Sequence, residues 1–175
     1  MGCQGALKKT VYLSLGSNLG DRAANLRAAR HRLSELGTVI SASSVYETEP
    51  VEVERAQPWF LNCVVAVETE LMPKQFHART LAIEQALGRG RREKETRAPR
   101  IIDIDIVLFG NSIVKSRALT IPHPGLERRR FVLEPLAEIA PAVRHPVLKQ
   151  TASELLAALP SGVGGVRKLQ EEGLT

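Results

Sequence analysis

An isoleucine- and valine-rich segment lies past the middle of the chain and reads Pro99-Arg100-Ile101-Ile102-Asp103-Ile104-Asp105-Ile106-Val107-Leu108-Phe109-Gly110. Its β-branched residues, its short length and the Pro and Gly that bound it predict a strand. Because side chains alternate between the two faces of a strand, the isoleucines at even positions and Leu108 are expected on one face. Asp103 and Asp105 are expected on the other face, together with Val107 and Phe109.

Two carboxylates on one strand face lie roughly 6.5–7 Å apart, where like charges repel each other and lose hydration. A divalent cation would offset this cost, because carboxylate oxygens are the ligands that Mg²⁺ prefers. The alternative is an edge strand whose polar face is wet, or an Asp pair neutralised by arginines. The setting favours a metal–polyphosphate site, since the strand is preceded by a run of cations. These are Arg89, Arg91, Arg92, Arg97 and Arg100.

The composition is that of a soluble globular protein. The 175 residues predict a single domain, and 43% hydrophobic with 25% charged residues is ordinary for that class. The net charge of +5 permits anionic partners without choosing among them. Two cysteines provide no disulfide framework, and neither an apolar stretch of about 18 residues nor a secretory signal pattern is found. We therefore expect a cytoplasmic protein with no membrane partner.

Hydrophobic periodicity predicts four strands and two helices in the order β-α-β-β-α-β. Asp21 can cap the first helix and Gly37 ends it, whereas Pro73 suits the first turn of the second helix and Gly88 closes it. This order predicts an α+β fold of the ferredoxin-like type, an antiparallel sheet covered by helices, with a C-terminal extension. The strands are expected at residues 11–15, 38–48, 60–69 and within 99–110.

The last third of the chain carries weaker signals. A short helix is expected within residues 127–138, and Thr151 with Glu154 forms a capping-box pattern before an apolar pair. We expect one domain over residues 1–175, with its core at about 11–141 and a mobile tail at about 160–175.

Several residues allow both a structural and a functional interpretation. Glu84 lies beside the apolar stripe of its helix and without a ligand would be a surface charge. Asn62 lies inside an apolar strand, where an amide needs backbone or ligand partners. Phe60 and Phe131 fit a core as well as a ring-stacking site. The glycine turn at 16–21 lacks the ending of a Walker A loop, so side chains would have to hold any phosphates.

Five motifs then follow one another in an order that points to a known family. They are Leu15-Gly16-Ser17-Asn18-Leu19-Gly20, Tyr46-Glu47-Thr48-Glu49-Pro50, Gln57-Pro58-Trp59-Phe60-Leu61-Asn62, Pro99-Arg100 with Asp103 and Asp105-Ile106, and Leu119-Thr120-Ile121-Pro122-His123-Pro124. From about residue 11 to residue 141 the chain resembles the 6-hydroxymethyl-7,8-dihydropterin pyrophosphokinases of folate synthesis.

The resemblance implies a kinase that transfers the pyrophosphoryl group of ATP to the pterin hydroxymethyl oxygen and releases AMP. It implies two Mg²⁺ ions held by Asp103 and Asp105, and catalytic arginines at Arg89 and Arg100 with support from Arg91. The family's ATP-site positions match Glu84, Ile106, Leu119, Thr120, His123 and Arg129. Its pterin-site positions match Thr48, Val51, Phe60, Asn62 and Phe131. We further expect a monomer whose partners are ATP and a small pterin, without nucleic acid.

The chain departs from many relatives in two loops. Where those relatives carry Arg-Trp-Gly before the Pro-Arg pair, this chain has Thr96-Arg97-Ala98, and Arg97 is a candidate substitute for the missing basic position. Glu52 stands where relatives often carry Gly. These differences lie in the loops at residues 49–59 and 89–100, which we expect to be mobile and to close over ATP.

Two rival functions share parts of this pattern. The same element order builds the RNA-recognition module, but the clustered aromatics of that module are absent and the Asp pair would repel a phosphate backbone. A metal-dependent nucleotidyl- or glycosyltransferase also uses Asp-x-Asp, but such folds generally need a parallel sheet. Neither rival accounts for all five motifs.

Overall fold

The computed structural model describes residues 7–51, 56–88, 98–162 and 165–170. Within these ranges it contains eight strands, four α-helices and one 3-10 helix at Leu126–Arg128. The strands are β1 (Lys9–Ser17), β2 (Thr38–Ala42), β3 (Tyr46–Thr48), β4 (Phe60–Thr69), β5 (Asp103–Phe109), β6 (Val114–Lys115), β7 (Thr120–Ile121) and β8 (Val166–Lys168). The helices are α1 (Arg22–Leu33), α2 (Pro73–Ala86), α3 (Arg130–Ile139) and α4 (Ala152–Ala157).

One antiparallel sheet organises these elements. Its strands lie in the order β5-β1-β4-β3-β8, and β2 pairs with the part of β4 that β3 leaves free. Strands β6 and β7 form a separate antiparallel pair. The predicted mixed fold with an antiparallel sheet is confirmed, and the expected strand at 38–48 is divided into β2 and β3.

Helices cover both faces of the sheet. Apolar side chains of α1 and α2 pack on one face, where Leu13, Leu15 and Val65 are fully buried. Helices α3 and α4 pack on the other face against Val64 and Val107. We call these the α1/α2 face and the α3/α4 face. In the part of the chain that the structure describes, no helix is long and apolar enough to cross a membrane.

A β-bulge in β5 corrects the predicted alternation. Leu13 pairs with Ile106 but Tyr12 pairs with Leu108, so Val107 is an extra residue between the two pairs. Beyond the bulge the side chains exchange faces: Phe109 packs in the α1/α2 core, edge-on to Phe76 at 5.8 Å, and Leu108 packs under α3. The prediction that Phe109 shares a face with the Asp pair was therefore wrong, because a strict period of two does not continue through a bulge.

The local helix signals act as predicted, with one shift. The Asp21 side chain accepts a hydrogen bond from the backbone N–H of Ala24 at 3.0 Å and caps α1. Pro73 is the first residue of α2, and Thr151 caps α4 in a capping box with Glu154. Helix α1 ends at Leu33, before Gly37, and a turn joins the two.

Candidate functional site

A row of four residues crosses the sheet on the α3/α4 face. Asp103 of β5 pairs with Gly16 of β1, Gly16 pairs with Asn62 of β4, and Asn62 pairs with Tyr46 of β3. Directly paired residues of antiparallel strands point their side chains to the same face. The structure therefore brings the predicted metal ligands and the predicted pterin reader Asn62 onto one surface.

Gly16 leaves the middle of this row open. A Cβ placed on Gly16 would lie 2.8 Å from Asn62 Oδ1 and 3.6 Å from the Phe60 ring. Any side chain at this position would therefore displace the amide of Asn62. With strands about 4.8 Å apart, Asp103 and Asn62 are separated by about 10 Å along the row.

The two carboxylates of β5 have basic neighbours. Arg100 Nη1 donates to Asp103 Oδ2 at 2.5 Å, and His123 Nε2 lies 3.7 Å from Asp105 Oδ2. Neither carboxylate is sealed away, because the Asp103 side chain retains 20% of its exposure and that of Asp105 retains more. Both predicted metal ligands therefore reach an accessible surface.

The charge around Asp105 favours a bound cation. Burial, the Asp103 carboxylate and the Glu84 carboxylate raise the pKa of Asp105 to about 7, against the opposing effect of Arg129 and Arg100. Across residues 7–51, 56–88, 98–162 and 165–170 no group of three or more metal-binding side chains occurs. Mg²⁺ is commonly held by one or two carboxylates, with water and substrate phosphate completing its shell, and the Asp pair fits that donor set.

Glu84 is a buried support for β5. Its side chain is 2% exposed, and its Oε1 accepts a hydrogen bond from the backbone N–H of Ile104 at 2.7 Å. Ile104 lies between the two Asp residues, so this bond fixes the strand that carries them. The alternative interpretation of Glu84 as a surface charge was wrong, because its helix position faces β5 rather than solvent.

Asn18 joins the segment before β5 to the segment before β4. Its side-chain Oδ1 accepts from Arg100 N at 2.7 Å, and its backbone N–H donates to Arg100 O at 3.0 Å. Its Nδ2 donates to Gln57 Oε1 and to Pro58 O, both at 3.2 Å. At 1% exposure, this amide has protein partners for both of its polar atoms. Sequence reasoning placed Asn18 in a motif but missed this role, which depends on two segments far away in the chain.

The predicted ATP-site residues lie around the outer side of β5. His123 donates its backbone N–H to Val107 O at 3.0 Å, which holds its ring beside Asp105. Burial and the nearby Arg129 lower the pKa of His123, although Pro124 O and Asp103 act in the opposite direction. The side chains of Asp105, His123 and Arg129 line a small depression, together with Ser14 and Val132. Leu119 and Thr120 lie at the neighbouring β7 strand, and the side chain of Ile106 is buried in the α1/α2 core.

Three of the predicted pterin-site residues, Thr48, Phe60 and Asn62, lie together on β3 and β4, whereas Phe131 lies beside Arg129, which lines the depression at Asp105. Asn62 Nδ2 donates to Thr48 Oγ1, so these two polar side chains hold each other in place without a ligand. The partly exposed Phe60 is the residue paired with Thr48. Phe131 packs at the edge of the α3/α4 core with the Arg129 guanidinium 5.8 Å from its ring centre. Val51 is 47% exposed.

Some sequence-based predictions fall on other parts of the chain. Arg89 and Arg91, the two further arginines assigned to phosphate, lie outside the described residues. So do Glu52 and the altered loop positions Thr96 and Arg97. Their proposed roles remain predictions.

The sequence of this chain matches one protein family over most of its length. The model of the family described as 7,8-dihydro-6-hydroxymethylpterin-pyrophosphokinase (HPPK) matches residues 12–141. A 2-amino-4-hydroxy-6-hydroxymethyldihydropteridine pyrophosphokinase of Methylorubrum extorquens is 43% identical over 87% of this chain and 96% of its own length. The Aquifex aeolicus protein of the same name is 39% identical over 83% of this chain and 89% of its own length.

Longer proteins also match. The folic acid synthesis protein fol1 of Schizosaccharomyces pombe is 41% identical over 87% of this chain, which spans only 21% of that protein. The crystal structure of Plasmodium falciparum HPPK-DHPS with pterin and p-hydroxybenzoate has a TM-score of 0.68 at 19% identity, covering 86% of this chain and 42% of its own. At that identity the likeness concerns the fold alone.

Proposed function

Because this chain belongs to the 7,8-dihydro-6-hydroxymethylpterin-pyrophosphokinase family, we propose that it transfers a pyrophosphoryl group from ATP to 6-hydroxymethyl-7,8-dihydropterin in folate synthesis. The single observation that carries this proposal is the shared row on the α3/α4 face. The Asp pair lies at its β5 end, the Thr48–Asn62 pair lies on β3 and β4, and only Gly16 stands between Asp103 and Asn62. The RNA-recognition alternative is not supported by the family match.

The pterin would lie at the β3–β4 end of the row. A flat heterocycle needs aromatic faces and a few fixed hydrogen-bonding groups; Phe60, Thr48 and Asn62 supply these by type and by face, and we assign the second aromatic ring to Phe131 from the family resemblance. The prior bond between Asn62 and Thr48 reduces the ordering cost on binding. We assign Val51 to this site from the family resemblance.

The ATP phosphates and two Mg²⁺ ions would lie at the β5 end. Asp103 and Asp105 would hold the metal, which when bound neutralises phosphate charge during transfer. Arg100 is paired with Asp103 in this structure and would take phosphate oxygens in the complex. Arg89 and Arg91 would join it, and His123, Arg129, Leu119, Thr120, Glu84 and Ile106 would surround the nucleotide.

The role of the protein in this reaction is to align two substrates. Phosphoryl-type transfer needs in-line placement and charge neutralisation more than a strong base. One rigid sheet carries both ends of the row, so the pterin alcohol and the phosphate tail are held at a fixed separation. We assign His123 and Arg129 to charge balance beside Asp105 rather than to proton transfer.

We extend the proposal to the architecture and setting of the enzyme. The strand order β5-β1-β4-β3, with α1 and α2 packed on one face of the sheet, supports a ferredoxin-like core. The elements after β5 would form its C-terminal extension. We propose a single domain that acts as a cytoplasmic monomer, without nucleic acid or membrane partners.

The test is stoichiometric AMP release from ATP, Mg²⁺ and 6-hydroxymethyl-7,8-dihydropterin. We expect AMP and the pterin diphosphate in equal amounts, with loss of activity in Asp103→Asn and Asp105→Asn by at least a hundredfold. A matched control is Asp21→Asn, which changes a carboxylate that caps α1 and lies outside the row. Full activity of both β5 variants, or ADP as the product, would overturn the proposal.

A further inference from the structure

The last described strand, β8, borders the pterin end of the row. It pairs antiparallel with β3, with Lys168 opposite Tyr46, Arg167 opposite Glu47 and Val166 opposite Thr48. It lies beyond residues 12–141, which the family model matches, and inside the segment for which a mobile tail was expected. It is therefore an addition to the matched core rather than part of it.

The pairing continues past both ends of β3. Glu49 N–H donates to Gly165 O at 2.9 Å, and Leu169 N–H donates to Val45 O at 2.9 Å. Because the backbone groups of an antiparallel strand alternate in direction, Gly165, Arg167 and Leu169 all turn their polar groups toward β3. Without β8, the outer edge of the three-residue strand that ends in Thr48 would have no strand beside it.

A carboxylate on β3 connects β8 to the start of α1 and to the residue before Phe60. Arg167 Nη2 donates to Glu47 Oε2, and Arg22 Nη1 donates to Glu47 Oε1 at 3.1 Å. The same Arg22 nitrogen donates to Trp59 O at 2.7 Å. Glu47 is therefore held from both sides, and its strand is fixed relative to the first residue of β4.

Trp59 packs against β8 directly. A Cβ placed on Gly165 would lie 3.1 Å from the indole ring, so the chain passes in close contact with it. Trp59 is the only tryptophan of the chain and is 41% exposed. Its fluorescence therefore reports the docking of β8 without reference to activity.

We propose that β8 is a positioning element for the pterin site, which holds Thr48 and Phe60 in place by pairing with β3 and by the Arg167–Glu47 contact. The proposal rests on the function proposed above, because it takes the ligand of this end of the row to be the pterin. It assigns no role to β8 at the ATP end, because three strands, β3, β4 and β1, lie between β8 and β5.

The experiment compares proline substitutions at neighbouring positions of β8. Arg167→Pro removes an N–H that points toward β3 together with one of the two partners of Glu47, whereas Lys168→Pro removes an N–H on the outer edge of the sheet. Lys168 is 56% exposed and lies 3.7 Å from Glu138, so its loss removes only a surface ion pair. A chain ending at Gly162 and one ending at Gln170 form a second pair, without and with β8.

We expect Arg167→Pro to bind 6-hydroxymethyl-7,8-dihydropterin about tenfold more weakly by titration calorimetry, the effect of losing one backbone hydrogen bond and the contact with Glu47. The chain ending at Gly162 loses the whole pairing with β3 and should bind the pterin at least as weakly. Binding of a non-hydrolysable ATP analogue with Mg²⁺ should stay within twofold, and acrylamide should quench Trp59 more strongly. Lys168→Pro and the chain ending at Gln170 should match the wild type in all three measurements.

The outcomes separate the two proposals. Equal pterin binding in Arg167→Pro and Lys168→Pro, with wild-type turnover, would overturn the role of β8 and leave the proposed function standing. A wild-type protein that binds ATP but neither binds nor converts the pterin would overturn the proposed function. Equal weakening of pterin and ATP binding in the β8 variants would show a general loss of structure and would also overturn the positioning role.

Discussion

Replacing Asn18 by Ala removes the link between the two halves of the site. The substitution deletes the acceptor for Arg100 N and the donor to Gln57 Oε1 and Pro58 O, at a position that is 1% exposed. A buried donor without a partner costs about 1–3 kcal/mol, and the remaining lost bonds add about 1 kcal/mol. We expect the free energy of unfolding to fall by about 3 kcal/mol in urea denaturation.

The same change should lower activity beyond its effect on stability. Arg100 reaches Asp103 from a backbone that Asn18 fixes, and displacements of about 1 Å at such positions cost up to a hundredfold in rate. We expect kcat/KM to fall between tenfold and a hundredfold for both substrates, measured by AMP release well below the melting temperature. Asn18→Asp keeps an oxygen for Arg100 N but loses the donor to the loop before β4, so its defect should be larger for the pterin than for ATP.

Asn25→Ala is the matched control for this prediction. Its Nδ2 donates to Ser17 Oγ at 3.1 Å and to Leu19 O at 2.9 Å, so it supports the same turn without reaching Arg100 or the loop before β4. We expect it to lose about 1 kcal/mol of stability and to keep its kcat/KM within threefold. If Asn18→Ala behaved like this control in both measurements, the role of Asn18 as the link would be refuted.

Three further predictions follow from single contacts. Gly16→Ala places a Cβ 2.8 Å from Asn62 Oδ1, so we expect the KM for the pterin to rise about tenfold while the KM for ATP stays within twofold. Burial raises the pKa of the Cys63 thiol to about 12, so this cysteine should react with a maleimide only after unfolding, as read by peptide mass spectrometry. Burial raises the pKa of Glu138, but hydrogen bonds from Tyr46 and Ser44 outweigh it and leave that pKa below its usual value of 4.5. The resulting stability is present above about pH 4.5 and is lost as the pH falls through the lower folded pKa, so Glu138→Gln should flatten the acid limb of the stability curve, and equal slopes would contradict this.

The sequence predicted the order of helices and strands along the chain because the signals for each element were local. Alternating apolar residues, the Asp21 cap and Pro73 each determine an element from within a few positions, and these elements occur as expected. The bulge at Val107 could not be predicted this way, because it depends on the register between β5 and β1. The strand β8 was missed for a related reason: three residues in a polar tail form a strand only when β3 offers an edge to pair with.

In the site, too, the sequence identified residues by their type but not those whose role depends on their position in the fold. Asp103, Asp105 and Asn62 were identified by residue type, since a carboxylate pair or an amide inside an apolar strand needs a partner. Glu84 was ambiguous, because its burial depends on how α2 packs on β5 and not on its place in the helix pattern. The linking role of Asn18 could not be predicted from the sequence, because its partners Arg100 and Pro58 lie 82 and 40 positions away in the chain.

The register of β1 fixes the distance between the carboxylates at one end of the row and the Asn62 amide. Gly16 pairs with both Asp103 and Asn62, so a slip of β1 by one residue would place Leu15 or Ser17 between them. Either slip would also turn every apolar residue of β1 out of the α1/α2 core, where Leu13 and Leu15 are fully buried. The packing that stabilises the fold therefore also fixes the separation between carboxylates and amide. For that reason a substitution that loosens the β1 core should disturb the alignment of the two substrates before it disturbs the binding of either one alone.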